Sequence, residues 1–280
     1  MERTALIFIG GFEIGEQGRV LRQSIYEHVK QDIPKAFQSR VQISDHGQVS
    51  LPLEENSPSF NYVMDIAKVY RLHLSIFQIV HYTPSELERV PFFQMMLPSP
   101  LELEGKNAAD YGTKYAGACP LCGFGGTPIG DVFVDRKFMR TCKIGVLPPD
   151  ICVSEGVKEL IESNQLTGIS FDHKIRDFKG RDMPDFYVMD VHHVLPPMSS
   201  SVWLKKFSPN PRYKQCGHQV QYLRSDIQYE KCKLEGANDF NLTCEYINND
   251  RIRALIVSAK VRKVFRAHRI RAFYEPVAML

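Results

Sequence analysis

The sequence predicts an α+β fold, with an N-terminal α/β segment followed by a duplicated strand-helix-strand unit around a cysteine knuckle. Three observations carry this. The first hundred residues alternate between short apolar runs and segments with apolar residues at helical spacing. Two segments about a hundred residues apart match each other without a gap. Between the N-terminal stretch and the first of these copies lies Cys119-Pro-Leu-Cys122-Gly123, a knuckle of the metal-binding type.

The elements follow in order. Residues 4–9 form an apolar run closed by Gly10-Gly11, which predicts a buried strand ending in a turn. Residues 20–29 carry Leu21, Ile25 and Val29 on one helical face, and residues 62–70 carry Ile66, Val69 and Tyr70. Residues 72–82, rich in Ile, Val and Phe, predict a strand. Thr83-Pro84-Ser85-Glu86 is a capping box with proline at the first helical position, so a helix should run from Pro84 toward Val90. Prolines 98 and 100 and the stretch 105–117 predict a loop, and we set the domain boundary there: 1–100, then 101–280. Irregular stretches are expected again at 196–201 and 207–211.

The second region divides into two related halves, about 115–195 and 205–280. Val153-Ser154 matches Val257-Ser258, and Val157 matches Val261. Leu160-Ile161 matches Val264-Phe265, Leu166 matches Ile270, and Ile169 matches Phe273. Each copy reads as an extended segment ending in valine, a serine that caps a helix through its side-chain oxygen, and a turn into a strand. Cys122-Gly123 precedes the first valine-serine and Cys216-Gly217 the second.

A CxxCG knuckle suits zinc because its tight turn aims both sulfurs at one ion. A structural zinc takes four ligands, and Cys119, Cys122, Cys216 and His218 are the candidate set. In the second copy Tyr213 stands where the other cysteine would be, and Cys142, Cys232 and Cys244 compete for the remaining place. The alternatives are a vestigial knuckle with buried thiols and a redox pair; nothing nearby resembles a redox active site at a helix start.

Other features carry less. His192-His193 lies in an apolar strand where neighbours face opposite ways, which favours structural roles over a shared ion. Gly10-Gly11-Phe-Glu-Ile-Gly15 matches neither nucleotide-binding glycine pattern. Residues 251–271 are basic, and Arg262, Lys263 and Arg266 are candidate phosphate contacts, against a solvated helical face as the plainer reading. The formal net charge of +3 does not by itself call for a nucleic acid. No apolar stretch is long enough to cross a bilayer, and the N-terminus lacks a secretory signal. Seven cysteines without disulfide-framework spacing fit a reducing cytoplasm. No nucleophile elbow, HExxH or paired-carboxylate motif is present, so no enzyme is expected.

The motif order resembles the small bacterial double-CxxCG proteins grouped with immunity proteins of polymorphic-toxin systems. The resemblance spans about residues 105–280. It rests on Cys119-Pro-Leu-Cys122-Gly123, Asp131-Val-Phe-Val-Asp135, Val153-Ser154, Leu166-Thr-Gly168 and Phe273-Tyr-Glu-Pro-Val277. It implies a non-catalytic protein that binds and neutralises a toxin partner in the cytoplasm, with a structural zinc. The other reading is a zinc-ribbon nucleic-acid-binding protein using the basic C-terminal helix.

Overall fold

Alternate apolar side chains organise the N-terminal part of the computed structural model, which describes residues 2–10, 16–35, 38, 41–43, 48–98, 112–121, 126–147, 150–207, 220–247 and 253–280. The chain forms two units, residues 1–87 with 224–226, and residues 88–223 with 227–280. In the first, β1 (Glu2–Gly10) leads to α1 (Glu16–Val29), β2 (Gln42–Ile43), β3 (Val49–Glu54), α2 (Pro58–Val69), β4 (His73–His81) and α3 (Pro84–Leu87). The sheet order is β2-β3-β1-β4, and its three strand pairs are antiparallel. That order and those directions are the split β-α-β arrangement of ferredoxin-like folds.

The expected alternation of strands and helices is present, but in an antiparallel sheet. Ala5, Ile7 and Ile9 of β1 and Val49, Leu51 and Leu53 of β3 point to one face, where Ile25 and Val29 of α1 and Val63 of α2 pack on them. Burial of each Val, Leu or Ile among them is worth roughly 1.5–3 kcal/mol. β3 escaped the sequence reading because Pro52 interrupts it. Proline is accommodated there: Pro52 stands opposite Leu6 of β1, and among the described residues β2 pairs with Val49 and Ser50.

The capping box forms. Glu86 N–H donates to Thr83 Oγ1 at 3.3 Å, and Thr83 N–H donates to Glu86 Oε2 at 2.8 Å. Thr83's backbone N–H holds the Glu86 carboxyl down to about 2. The helix it starts is shorter than expected, ending at Leu87.

The second unit contains β5 (Phe92–Met96), β6 (Lys114–Ala116), β7 (Thr127–Ile129), β8 (Val132–Val134), α4 (Arg136–Cys142), β9 (Ile144–Leu147), β10 (Asp150–Ser154), α5 (Glu155–Ser163), β11 (Ile169–Ser170), β12 (Lys174–Asp177), β13 (Asp182–Val188) and β14 (Asp190–Val191). It continues with β15 (Leu204–Phe207), β16 (Val220–Leu223), β17 (Gln228–Tyr229), β18 (Phe240–Tyr246), β19 (Arg253–Ser258), α6 (Ala259–Ala267), β20 (Phe273–Pro276) and β21 (Ala278–Met279). Two larger sheets dominate, ordered β8-β12-β13-β10-β9 and β18-β19-β5-β20. The whole is α+β. Among the described residues, no helix is long and apolar enough to cross a membrane.

The two matched segments take the same local form. Ser154 and Ser258 occupy the N-cap with φ near −76° and −69°, and each precedes a nine-residue helix. Leu166 N–H donates to Ile161 O and Gln165 N–H to Glu162 O; in the second copy Ile270 donates to Phe265 O and Arg269 to Arg266 O. Gln165 and Arg269 both have positive φ, 50° and 53°. This is the Schellman closure, with the apolar residue after it folded back on the helix. α2 ends the same way through Arg71 and Leu72, so the closure alone does not mark a duplication. The shared feature is the full run from strand through N-cap, nine-residue helix and closure.

The serines correct one expectation. Ser258 Oγ accepts from Val261 N–H at 3.3 Å, whereas Ser154 makes no side-chain cap bond. Strand pairing differs too. β10 lies between β9 and β13, and β19 between β18 and the distant β5.

Candidate functional site

Hairpins frame both cysteine segments. β6 pairs with β7 from Lys114↔Ile129 to Ala116↔Thr127, so residues 117–126 connect them and contain Cys119 and Cys122. Gly117 and Gly126 have φ of +73° and +96°. A Cβ on Gly126 would lie 3.0 Å from Ala116 O and from Ala118, so glycine is required where the hairpin closes. β15 pairs with β16 from Leu204↔Leu223 to Phe207↔Val220, and the connection 208–219 contains Cys216 and His218. The two halves therefore carry their cysteines in the same kind of connection.

Of the candidate ligands, Cys119 is described and half-buried; Cys122, Cys216 and His218 lie outside the described residues, as do residues 11–15 of the glycine-rich stretch. Among the described residues, no group of three His, Cys, Asp or Glu side chains is placed to hold a metal ion. The described part of the site is thus the hairpin frame and one thiol. Of the competitors, Cys142 ends α4, Cys232 lies in a 3-10 turn and Cys244 in β18; like Cys152, they lie outside any disulfide. Cys152 is fully enclosed in the first half's core, and burial pushes its thiol well up.

The Leu166-Thr167-Gly168 turn joins the halves. Thr167 N–H donates to Asp239 Oδ2 at 3.1 Å, Asp239 N–H donates to Thr167 Oγ1 at 3.1 Å, and Phe240 N–H donates to Thr167 O at 3.0 Å. Asp239 also accepts from the N-cap Ser258 Oγ at 2.5 Å. Gly168 has φ of +96°, and a Cβ there would come 2.3 Å from Phe240 O and 2.7 Å from Asn238 Cβ. Only glycine allows that approach.

The histidine pair divides as expected for neighbours in an extended chain. His192 Nε2 lies 2.9 Å from Ser170 Oγ, and Ser170 Oγ donates to Asp172 Oδ2. His193 Nδ1 lies 2.6 Å from Asn241 Oδ1. Asn241 uses its amide nitrogen on Asn238 O and Ile256 O, so its oxygen accepts and His193 Nδ1 carries the proton. Aspartates 131 and 135 are structural, pairing with Arg176 at 2.7 Å and capping α4 through Phe138 N–H.

On α6, Arg262 is largely covered. Its guanidinium lies 4.6 Å from the centre of the Phe93 ring and 3.9 Å from Glu88, a cation-π arrangement on the core. Lys263 and Arg266 are exposed.

Sequence reasoning missed a cleft of about 350 Å³ beside β7 and Gly126 of the β6–β7 hairpin. Asp150 and Asp190 line it together with Val188, Val191, Leu242 and Arg253. Asp150 is 6% exposed, and its Oδ2 accepts from Tyr115 OH at 2.5 Å. Burial pushes this carboxyl up to about 6; Tyr115's hydrogen bond opposes the shift, Asp190's charge adds to it and His173's opposes it. Asp190 is also raised, chiefly by burial, with His173 Nε2 at 3.5 Å. The one sequence signal was an aspartate opening an apolar strand after two prolines.

Compared with known proteins, the chain matches no family model and no curated protein.

Proposed function

We propose that the chain is a cytoplasmic bacterial immunity-type protein, which binds a protein toxin and neutralises it without catalysis, with a structural zinc at the cysteine hairpins. One observation carries this reading. The Leu166-Thr-Gly168 motif, part of the resemblance to double-CxxCG immunity proteins, is engaged in backbone and side-chain bonds to Asp239 and Phe240. Residues satisfied in this way build a rigid scaffold, and rigid scaffolds suit inhibition by surface complementarity. The hairpin frame around Cys119 supports a zinc held by Cys119, Cys122, Cys216 and His218, which would tie the two connections together.

Co-expression with the toxins encoded beside this gene tests the main reading. Rescue of growth by the intact chain is expected, and failure to neutralise any toxic neighbour overturns it. Metal analysis tests the zinc separately: about one equivalent is expected, lost in Cys119→Ser. A native preparation without metal rejects it.

The nucleic-acid reading has support from the exposed Lys263 and Arg266, but Arg262 is committed to Phe93 and Glu88. Steeply salt-dependent DNA or RNA binding, weakened in Lys263→Glu, would favour it over the toxin partner.

A further inference from the structure

We propose that α5 and α6 form the docking face for a second copy of this chain, with α5 of each copy laid against α6 of the other across a two-fold axis. Both helices have nine residues and follow a serine N-cap. Their exposed positions correspond one to one: Gly156 with Lys260, Glu159 with Lys263, Glu162 with Arg266, and Ser163 with Ala267. The charge is reversed between them. α5 turns acids to solvent where α6 turns bases.

These charges are little used within the chain. Among the described residues, Glu155, Glu159, Lys263 and Arg266 make no ion pair. The ion pairs of Glu162 with Lys158 and of Lys260 with Asp239 are long, 3.9 Å each.

The two helices are neighbours. Lys260, at the start of α6, donates to Gln165 O in the closing turn of α5 at 3.4 Å. His268 and Ile270, in the closing turn of α6, line one cavity of about 520 Å³ with Ser154 and Gly156 at the start of α5. The helices therefore run in opposite directions. Gly156 keeps the cavity open, since a Cβ there would meet nothing within 4 Å, and Val157 and Leu160 give it an apolar lining.

This pattern selects the partner. A wholly acidic or wholly basic ligand is repelled by one of the two helices. An acidic helix beside a basic one is complemented by another such pair, turned over. A two-fold axis along the helices lays α5 on α6 of the other copy and repeats the contact. In that antiparallel register Glu159 faces Lys263, each the middle residue of its helix, Glu162 faces Lys260, and Glu155 comes near Arg266. Opposite charges fix such a register, and like charges across it are costly. The dimer face does not depend on the toxin reading, because the purified chain alone is the test object.

Sedimentation of the full chain over a range of protein and salt concentrations is the experiment. A dimer that dissociates as salt rises is expected. Glu159→Lys and Lys263→Glu should each weaken self-association by roughly tenfold or more, because the like-charge contact occurs twice. Both positions are exposed, so both variants should keep the parent's circular dichroism. Mixing the two variants is the decisive step. Each alone is repelled, whereas a mixed pair sets lysine against glutamate at both contacts and should associate about as tightly as the parent. Glu162→Lys and Lys260→Glu supply a second such pair should a variant fold poorly. A chain that is monomeric throughout, a dimer indifferent to every variant, or mixtures no tighter than their components overturns the proposal. A monomer that retains nucleic acid through Lys263 also overturns it, and assigns α6 to a polyanion.

Discussion

Asp150 and Gly168 illustrate how single residues take on roles that their neighbours in sequence do not announce. Asp150 binds a proton more tightly when folded than when unfolded, because burial raises its carboxyl to about 6. Its contribution to stability is therefore complete below the unfolded value of 3.8 and is lost as pH rises through about 6. Above that range the fold carries a buried charge. Asp150→Asn should stabilise the protein at pH 8 by on the order of 2 kcal/mol. The gain should vanish near pH 4. Urea unfolding at both values checks this, and a variant less stable than the parent at pH 8 contradicts it. Gly168→Ala should cost about 3 kcal/mol or more, since it combines positive φ with a carbonyl oxygen in the way. A thermal melt unchanged by that substitution would falsify the close approach to Phe240. The sequence marks Gly168 as a turn glycine, but the strand it abuts lies about seventy residues away, beyond any local signal.

At the scale of elements, local chemistry was the more legible. The capping box at Thr83, the strand at β1, and the matched runs leading into α5 and α6 all follow from spacing and side-chain type. Misreadings arose where a neighbouring element decides. Pro52 hides β3, yet β3 persists through its pairing with β1, where Leu6 stands opposite the proline. Ser154 and Ser258 look equivalent in sequence, and their backbones are equivalent, but only Ser258 caps. Ser258→Ala should therefore destabilise by about 1–2 kcal/mol, with Asp239 losing a partner as well. Ser154→Ala should cost less than about 0.5 kcal/mol. Chemical denaturation of the two variants measures the contrast, and equal losses would contradict the assignment of the cap to one copy.

At the scale of the whole molecule, the sequence suggested two related halves tied by cysteines. Among the described residues the tie is a polypeptide one, Thr167 and Gly168 against Asp239 and Phe240. Topology was the least legible level. Phe92-Phe-Gln-Met-Met96 sits in a stretch that local signals leave undecided, and its partners β19 and β20 come far later in the chain. The cleft was hidden for the same reason, since Asp150, Asp190 and Leu242 are brought together by sheets and not by spacing.

That placement of β5 has a cost during synthesis. Roughly 160 residues separate Phe93 from its partner Val257, so loop closure is long and late. The ribosome releases a bare apolar strand many seconds before β19 and β20 exist to flank it. Until then the strand offers two unpaired edges to any other nascent chain. A cell making this protein quickly should need a chaperone to hold it, and slowing translation should raise the yield of folded chain.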